Sequence, residues 1–377
     1  MRTPEFYKGK EQTYVKHFFL ENYLQTVAFH IGSAFPQFVY VDGFSGPWRA
    51  KDEAVADTSF FIALQQLNYV RQGLALHGKR PAMKAIFIEK KPSTFADLNK
   101  AIAERKGEIE VALFLGKFEH NISNILASVG SAFTFFFIDP TGWTGYSLEA
   151  IKPVLVHTPG EVVINFMYDH INRFINSQEP DTEASLDALF GTKDWRSLRG
   201  EKDREHAILN FYQEQVRAAG KFEFVTSTRI LKPTHDRAYF HLVYATRNPR
   251  GIIEFRAVEK KAVSEQEEVR HVAKREARES RSNQSELTLE FIESPESKLN
   301  KKRQEQILIA EDRVARILQV RALDYKVLCP RILEIPLVWE SDLKALLVKM
   351  RDAGRIRIDG LGSRGRSPKP GCRLSLT

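Results

Sequence analysis

The chain has 377 residues, 43% of them hydrophobic, enough for a sizeable core, and this excludes a wholly disordered protein. Its longest apolar runs, such as Phe135-Phe136-Phe137-Ile138, stop far short of the ~18 residues a membrane span needs. The N-terminus shows no apolar leader, and two cysteines, Cys329 and Cys372, supply neither a disulfide scaffold nor a cysteine-rich zinc site. The expected setting is a reducing cytoplasm, with no membrane association and no metal. The net charge of +8 is unevenly spread: residues 301–377 hold 17 Lys+Arg against 9 Asp+Glu, while the first 300 hold 39 of each sign. A neutral body with a basic tail suggests an anionic partner on the tail, although a solubilising surface gives the same balance.

In chain order, Thr13 to Val27 has helical spacing of apolar residues; Lys16 and His17 of that helix are within reach of the site, although surface positions are the preferred reading. Phe38 to Val41 reads as a buried strand, Ser59 to Arg71 as a helix, and Ala85 to Glu89 as a second strand. A helix from Phe95, a strand at Glu110 to Leu115 and a helix at His120 to Val129 follow. Phe133 to Ile138 is the most apolar strand, Leu148 to Val156 is helical, and Val162 to Phe166 is a fifth strand. Tyr239 to Ala245 and Gly251 to Arg256 are expected to form a closing antiparallel hairpin. Strands apolar on both faces that alternate with helices imply an α/β fold, a Rossmann-like doubly wound and mostly parallel sheet. Such sheets bind ligands at the carboxyl ends of their strands, at the switch point of strand order.

The first strand ends in Asp42-Gly43-Phe44-Ser45-Gly46-Pro47. This is either a plain tight turn or a loop whose glycines let a ligand approach the backbone. Glu89, at the tip of the next strand, can accept two hydrogen bonds from a ribose diol. The loop lacks the Gly-Lys-Ser/Thr ending of a triphosphate cradle. Asp42 would repel phosphate and suits an ammonium group, which favours S-adenosylmethionine over a dinucleotide or ATP.

The segments Val39 to Pro47, Phe87 to Lys90, Phe137 to Gly142 and Val163 to Phe174, with the Lys16-His17 helix start, resemble the three-Cys-motif partner protein (TcmP) family over residues 10 to 260. That family is similar to class I SAM-dependent methyltransferases, and many members end in a winged-helix domain. The resemblance implies a methyltransferase-like fold, S-adenosylmethionine as cofactor and a separate protein with a three-cysteine motif as partner. Carried across, Asp42, Gly43, Phe44 and Gly46 line the methionine end of the cofactor and Glu89 holds its ribose. Phe118 is the candidate for stacking on its adenine.

The fourth strand ends in Asp139-Pro140-Thr141-Gly142-Trp143. In amino-methyltransferases an Asp-Pro-Pro-aromatic turn grips an exocyclic amine, so Asp139 and Pro140 are the candidate catalytic pair. Trp143 is placed to stack on a flipped base. The alternative is a strand-to-helix turn with Asp139 as a cap. Asn165, Tyr168 and Asp169 follow the fifth strand as a candidate substrate wall, though Asp169 and Arg173 are also spaced for a helix salt bridge.

Residues 282–302 read as a polar linker between a methyltransferase-like domain, 1–281, and a winged-helix domain, 303–377. The tail shows three helices, then alternating strands at Arg355 to Ile358 and Cys372 to Leu376 around a glycine-rich basic tip. Lys344, Lys349, Arg355, Arg364, Arg366 and Lys369 are its candidate contacts to DNA or RNA, mainly through phosphates. A protein-docking role suits the same outline. The combined expectation is a SAM-dependent methyltransferase acting on nucleic acid, at a base amine. A non-catalytic adaptor of the same fold, serving a three-cysteine-motif enzyme, is the alternative, favoured by Trp48, Lys117 and Thr141.

Overall fold

The computed structural model describes residues 3–46, 58–282, 294–361 and 365–377. Pro47, Trp48 and Arg364, singled out above, lie outside the described residues. The chain divides into two compact units, residues 1–225 with 229–247, and residues 226–228 with 248–377.

In the first unit, α1 (Glu11–Ala34) leads into β1 (Gln37–Asp42), α2 (Ser59–Leu76), β2 (Ala82–Glu89), α3 (Pro92–Arg105), β3 (Glu110–Leu115), α4 (Phe118–Val129), β4 (Phe133–Ile138), α5 (Leu148–Val156) and β5 (Gly160–Phe166). Then come α6 (Tyr168–Phe174), α7 (Pro180–Phe190), α8 (Arg204–Gly220), β6 (Phe224–Leu231) and β7 (Ala238–Thr246). The seven strands lie in the order β3-β2-β1-β4-β5-β7-β6. β1 to β5 run parallel, and β7 is antiparallel to β5. The sequence dictates this architecture because every residue of β4, Phe-Thr-Phe-Phe-Phe-Ile, is buried. A strand apolar on both sides needs cover on both faces, and crossover helices provide it. Chain order reverses between β1 and β4, so their carboxyl ends sit side by side, with Asp42 opposite Phe137.

Of the closing antiparallel hairpin, Tyr239 to Ala245 forms β7 as expected, but its second strand is corrected: Gly251 to Arg256 is helical, inside α9 (Pro249–Ser282), and β7 lies between β5 and β6. Pro249 presets a helix start, and Asn248 accepts the Arg250 N–H at 2.9 Å. Buried Ile252, Phe255, Val258, Ala262 and Val263 then recur at helical spacing.

The second unit continues with α10 (Pro295–Val320), β8 (Leu323–Asp324), α11 (Tyr325–Ile332), α12 (Glu340–Asp352), β9 (Ile356–Asp359) and β10 (Arg373–Leu376). Its small antiparallel sheet has the order β8-β10-β9. Arg303 on α10 donates to Asp342 on α12 at 2.5 Å and lies 3.7 Å from the Trp339 ring centroid, which holds the two helices together. Among the described residues no helix is long and apolar enough to cross a membrane.

One buried acid ties α1 to the sheet. Glu161 on β5 accepts hydrogen bonds from Tyr23 (2.7 Å) and Tyr244 (2.8 Å). Burial pushes its carboxyl up from 4.5 to about 7, against the pull of the two tyrosine hydroxyls. A carboxyl whose folded value is raised gives stability that is complete below about pH 4.5 and lost as pH rises through about 7. Glu161→Gln copies the protonated acid and removes this titration. The stability of wild type relative to Glu161→Gln is therefore expected to fall by about 3 kcal/mol between these pH values, read from urea unfolding. Parallel pH profiles would contradict the assignment.

Candidate functional site

The turn after β1 is stitched to both neighbouring strands. Gly43 N–H donates to the Phe137 carbonyl (3.0 Å) and Ser45 N–H to the Ile88 carbonyl (2.9 Å). Ser45 Oγ donates to the Asp42 carbonyl (3.1 Å) and accepts from Ile88 N–H (3.3 Å). The path is close-packed. A Cβ added at Gly43 would stand 3.0 Å from the Phe118 ring, and one at Gly46 would stand 1.9 Å from Glu89 Oε2. At both glycines the turn thus passes close against other side chains, which a Cβ would displace.

Two cavities open at the carboxyl end of the sheet. The smaller, about 320 Å³, is lined by Gly43, Phe44, Gly46, Glu89, Gly116 and Phe118, with Lys117 and Thr141 at its edge. Glu89 is buried, with Oε1 accepting the Lys91 N–H at 2.7 Å. Phe118 opens α4 and packs against Phe44, with ring centroids 5.6 Å apart. This cavity therefore pairs a buried carboxylate with an aromatic wall over a glycine turn.

The larger cavity, about 490 Å³, is lined by Lys16, His17, Asp139, Pro140, Asn165 and Phe240, among others. Phe44, Gly46 and Thr141 border both cavities. Asp139 is held at both oxygens: Lys16 Nζ donates to Oδ2 (2.5 Å) and Asn165 Nδ2 to Oδ1 (2.6 Å). A carboxylate has about four acceptor positions, so two remain for a ligand. His17 is buried and hydrogen-bonded to the Tyr7 hydroxyl at 3.1 Å. Burial, with Lys16 beside it, holds its imidazole well below the usual range and hence neutral.

This face of α1 is turned to the cavity and not to solvent. Lys16 and His17 are not surface residues: the Lys16 side chain is 13% exposed and His17 is buried. The signal was present, since His17 lies three residues from both Tyr14 and Leu20 on a stripe that is buried from Tyr14 to Leu24. Tyr7, Tyr239 and Phe240 are further lining residues that no motif announced.

The other expected residues are dispersed. Asp42 lines neither cavity; its carboxyl accepts from Ser59 Oγ (2.6 Å) and the Phe44 N–H (3.0 Å). Burial pushes it up to about 6, opposed by those two hydrogen bonds, with Asp139 raising it and Lys16 lowering it. Trp143 lines neither cavity and packs on Phe174, centroid distance 5.1 Å, and on His170 at 6.5 Å. Tyr168 stands edge-on to His241 at 5.8 Å. Asp169 meets Arg173 (3.3 Å), Lys232 (2.9 Å) and Arg237 (3.5 Å), so the helix salt bridge is formed. In the second unit, Lys344 pairs with Glu340 at 2.8 Å and Arg355 pairs with Glu311. Lys349, Arg366 and Lys369 are exposed.

No protein-family model matches the sequence, and no curated protein matches it. Among solved structures, a Legionella pneumophila (strain Philadelphia 1) protein of the DUF519 family is similar at 10% identity, covering 68% of this chain and 92% of that one, with a TM-score of 0.39. A loganic acid methyltransferase with SAH is similar at 11% identity, covering 74% of this chain and 92% of that one, with a TM-score of 0.28.

The packing of Gly46 on Glu89 is open to test. Gly46→Ala forces the buried carboxyl aside and is expected to cost ~1–3 kcal/mol in urea unfolding. At Gly142 an added Cβ meets nothing within 4 Å. Gly142→Ala is expected to stay within about 0.5 kcal/mol of wild type. Equal effects of the two substitutions would refute the close approach.

Proposed function

We propose that the chain is a SAM-dependent methyltransferase acting on nucleic acid at a base amine, with the second unit holding the substrate as a winged helix. The observation that supports this reading is the pair of cavities meeting at Phe44, Gly46 and Thr141, one carrying Glu89 and the other Asp139. Glu89 would hold a ribose diol, Phe118 would face the adenine, and the turn Gly43 to Gly46 would follow the cofactor's chain. Bound there, the cofactor supplies an activated methyl group. Asp139 accepts an N–H of the acceptor amine at one of its remaining positions. Lys16 and Asn165 fix the carboxylate's orientation, and Phe44, Tyr239 and Phe240 exclude water from the cleft. Catalysis on these terms is mainly orientation. The resemblance to three-Cys-motif partner proteins supports the same cofactor and adds such a protein as partner.

A second reading is a non-catalytic adaptor of the same fold, and one observation favours it. Both Asp139 oxygens already have internal partners, Lys16 and Asn165, so the carboxylate is satisfied without any acceptor. Labelled SAM separates the two readings.

Calorimetry is expected to give a dissociation constant below about 1 mM for SAM, and Glu89→Gln is expected to weaken binding by about 10- to 100-fold. Asp139→Ala is expected to retain binding and lose tritium transfer to mixed DNA and RNA. Absence of heat at about 1 mM rejects the cofactor assignment. Binding without transfer, even with the partner present, establishes the adaptor.

A further inference from the structure

The buried carboxylate of Asp169 is surrounded by more positive charge than its burial requires. Asp169 is 2% exposed, and Lys232 Nζ, at 2.9 Å, is by itself a sufficient counter-ion. Arg173 and Arg237 also reach it, at 3.3 Å and 3.5 Å, with side chains 62% and 52% exposed. Ion pairs that open to solvent add little stability. Each guanidinium has five N–H donors in a planar fork and turns its NH2 group toward Asp169. Another acid of this unit, Glu205 at the start of α8, is taken by Arg229 of β6 in a two-pronged contact of 2.5 and 2.7 Å. Asp236, exposed, precedes Arg237 in the chain.

The cluster does not itself line the larger cavity, but it touches Tyr239, which does. Lys232 Nζ lies 5.9 Å from the ring centroid of Tyr239, and His170 meets the same ring edge-on at 6.3 Å. Tyr239 itself lines the cavity, as does the exposed Lys10. Five aromatic residues, Phe6, Tyr7, Phe44, Tyr239 and Phe240, are in its lining, beside polar groups that include Asp139 and Asn165. Cations at a rim and aromatic faces within are what a single-stranded nucleic acid needs, phosphates outside and a base stacked inside. An acidic peptide would use the cations and leave the aromatic faces without a role.

We infer that Arg173, Lys232 and Arg237 form a docking surface for the phosphate backbone of a nucleic acid whose base enters the adjoining cavity. The inference rests on the methyltransferase reading for the identity of that cavity. It places phosphate contacts in the first unit, independent of the basic residues of the second.

The test measures binding of a labelled mixed-sequence single-stranded oligonucleotide to the full chain across a salt series. The double variant Arg173→Gln/Arg237→Gln keeps Lys232 on Asp169 and so keeps the buried charge paired. Its slope of log affinity against log salt is expected to flatten by about 1.4, two phosphate contacts at about 0.7 each. Arg173→Lys/Arg237→Lys is expected to restore most of the slope, which a purely structural role of the guanidinium forks would not allow. A slope unchanged in the Gln variant, or no binding by wild type, overturns the inference. SAM calorimetry on the same samples separates the two failures: heat without a slope change rejects the docking surface alone, and no heat with a slope change rejects the methyltransferase reading alone.

Discussion

The cleft depends on one joint, the ammonium of Lys16 against the carboxylate of Asp139. It fastens the start of α1 to the tip of β4, at the point where strand order reverses and the sheet leaves a crevice. Asn165, from the tip of β5, closes the other side of the same carboxylate. Three elements far apart in sequence are thereby held around one atom group. Without the joint, the two strand-tip acids Asp42 and Asp139 would face each other with less compensation, since Lys16 also pulls Asp42 down.

Buried and half-buried acids are treated in three different ways in the first unit, and the differences sort structure from site. Glu161 receives two tyrosine hydroxyls and is raised to about 7 by burial, so below that pH it is a neutral strut between α1, β5 and β7. Asp42 is satisfied by its own turn and by Ser59, so its role is to shape the loop that borders both cavities. Asp139 and Asp169 are given cations instead. A cation paired with a carboxylate in a cleft holds it in a fixed orientation, which suits recognition of a polar ligand. Asp169 has three such neighbours, and that surplus turns outward.

The strands were legible because each is a run of β-branched and aromatic residues bounded by turn residues, and the acids at their tips could be counted off directly. Glu89 and Asp139 were found in this way and do border the cavities. The same reasoning misassigned Gly251 to Arg256, where Ile-Ile-Glu-Phe-Arg satisfies strand propensity locally. The helical stripe becomes visible only when the run is extended through Val258 and Ala262. Trp143, read as a stacking residue, and Tyr168 and Asp169, read as a substrate wall, follow strands near the switch point and line neither cavity. Side-chain direction after a strand end is set by packing, and these three turn to Phe174, His241 and a cation cluster instead.

The amino-acid sequence by itself determined the alternation of buried strands with covering helices, and hence a doubly wound sheet, because apolar runs cannot remain in water and their spacing fixes the element type. It also determined the glycine turn after β1 and the acids at the strand tips. Only the tertiary structure decided which side chains meet there. Lys16 lies more than a hundred residues from Asp139 and is joined to it by the way α1 packs on the sheet, which also brings His17 to the same cavity. Long-range packing, unlike local periodicity, leaves no repeating trace in the chain.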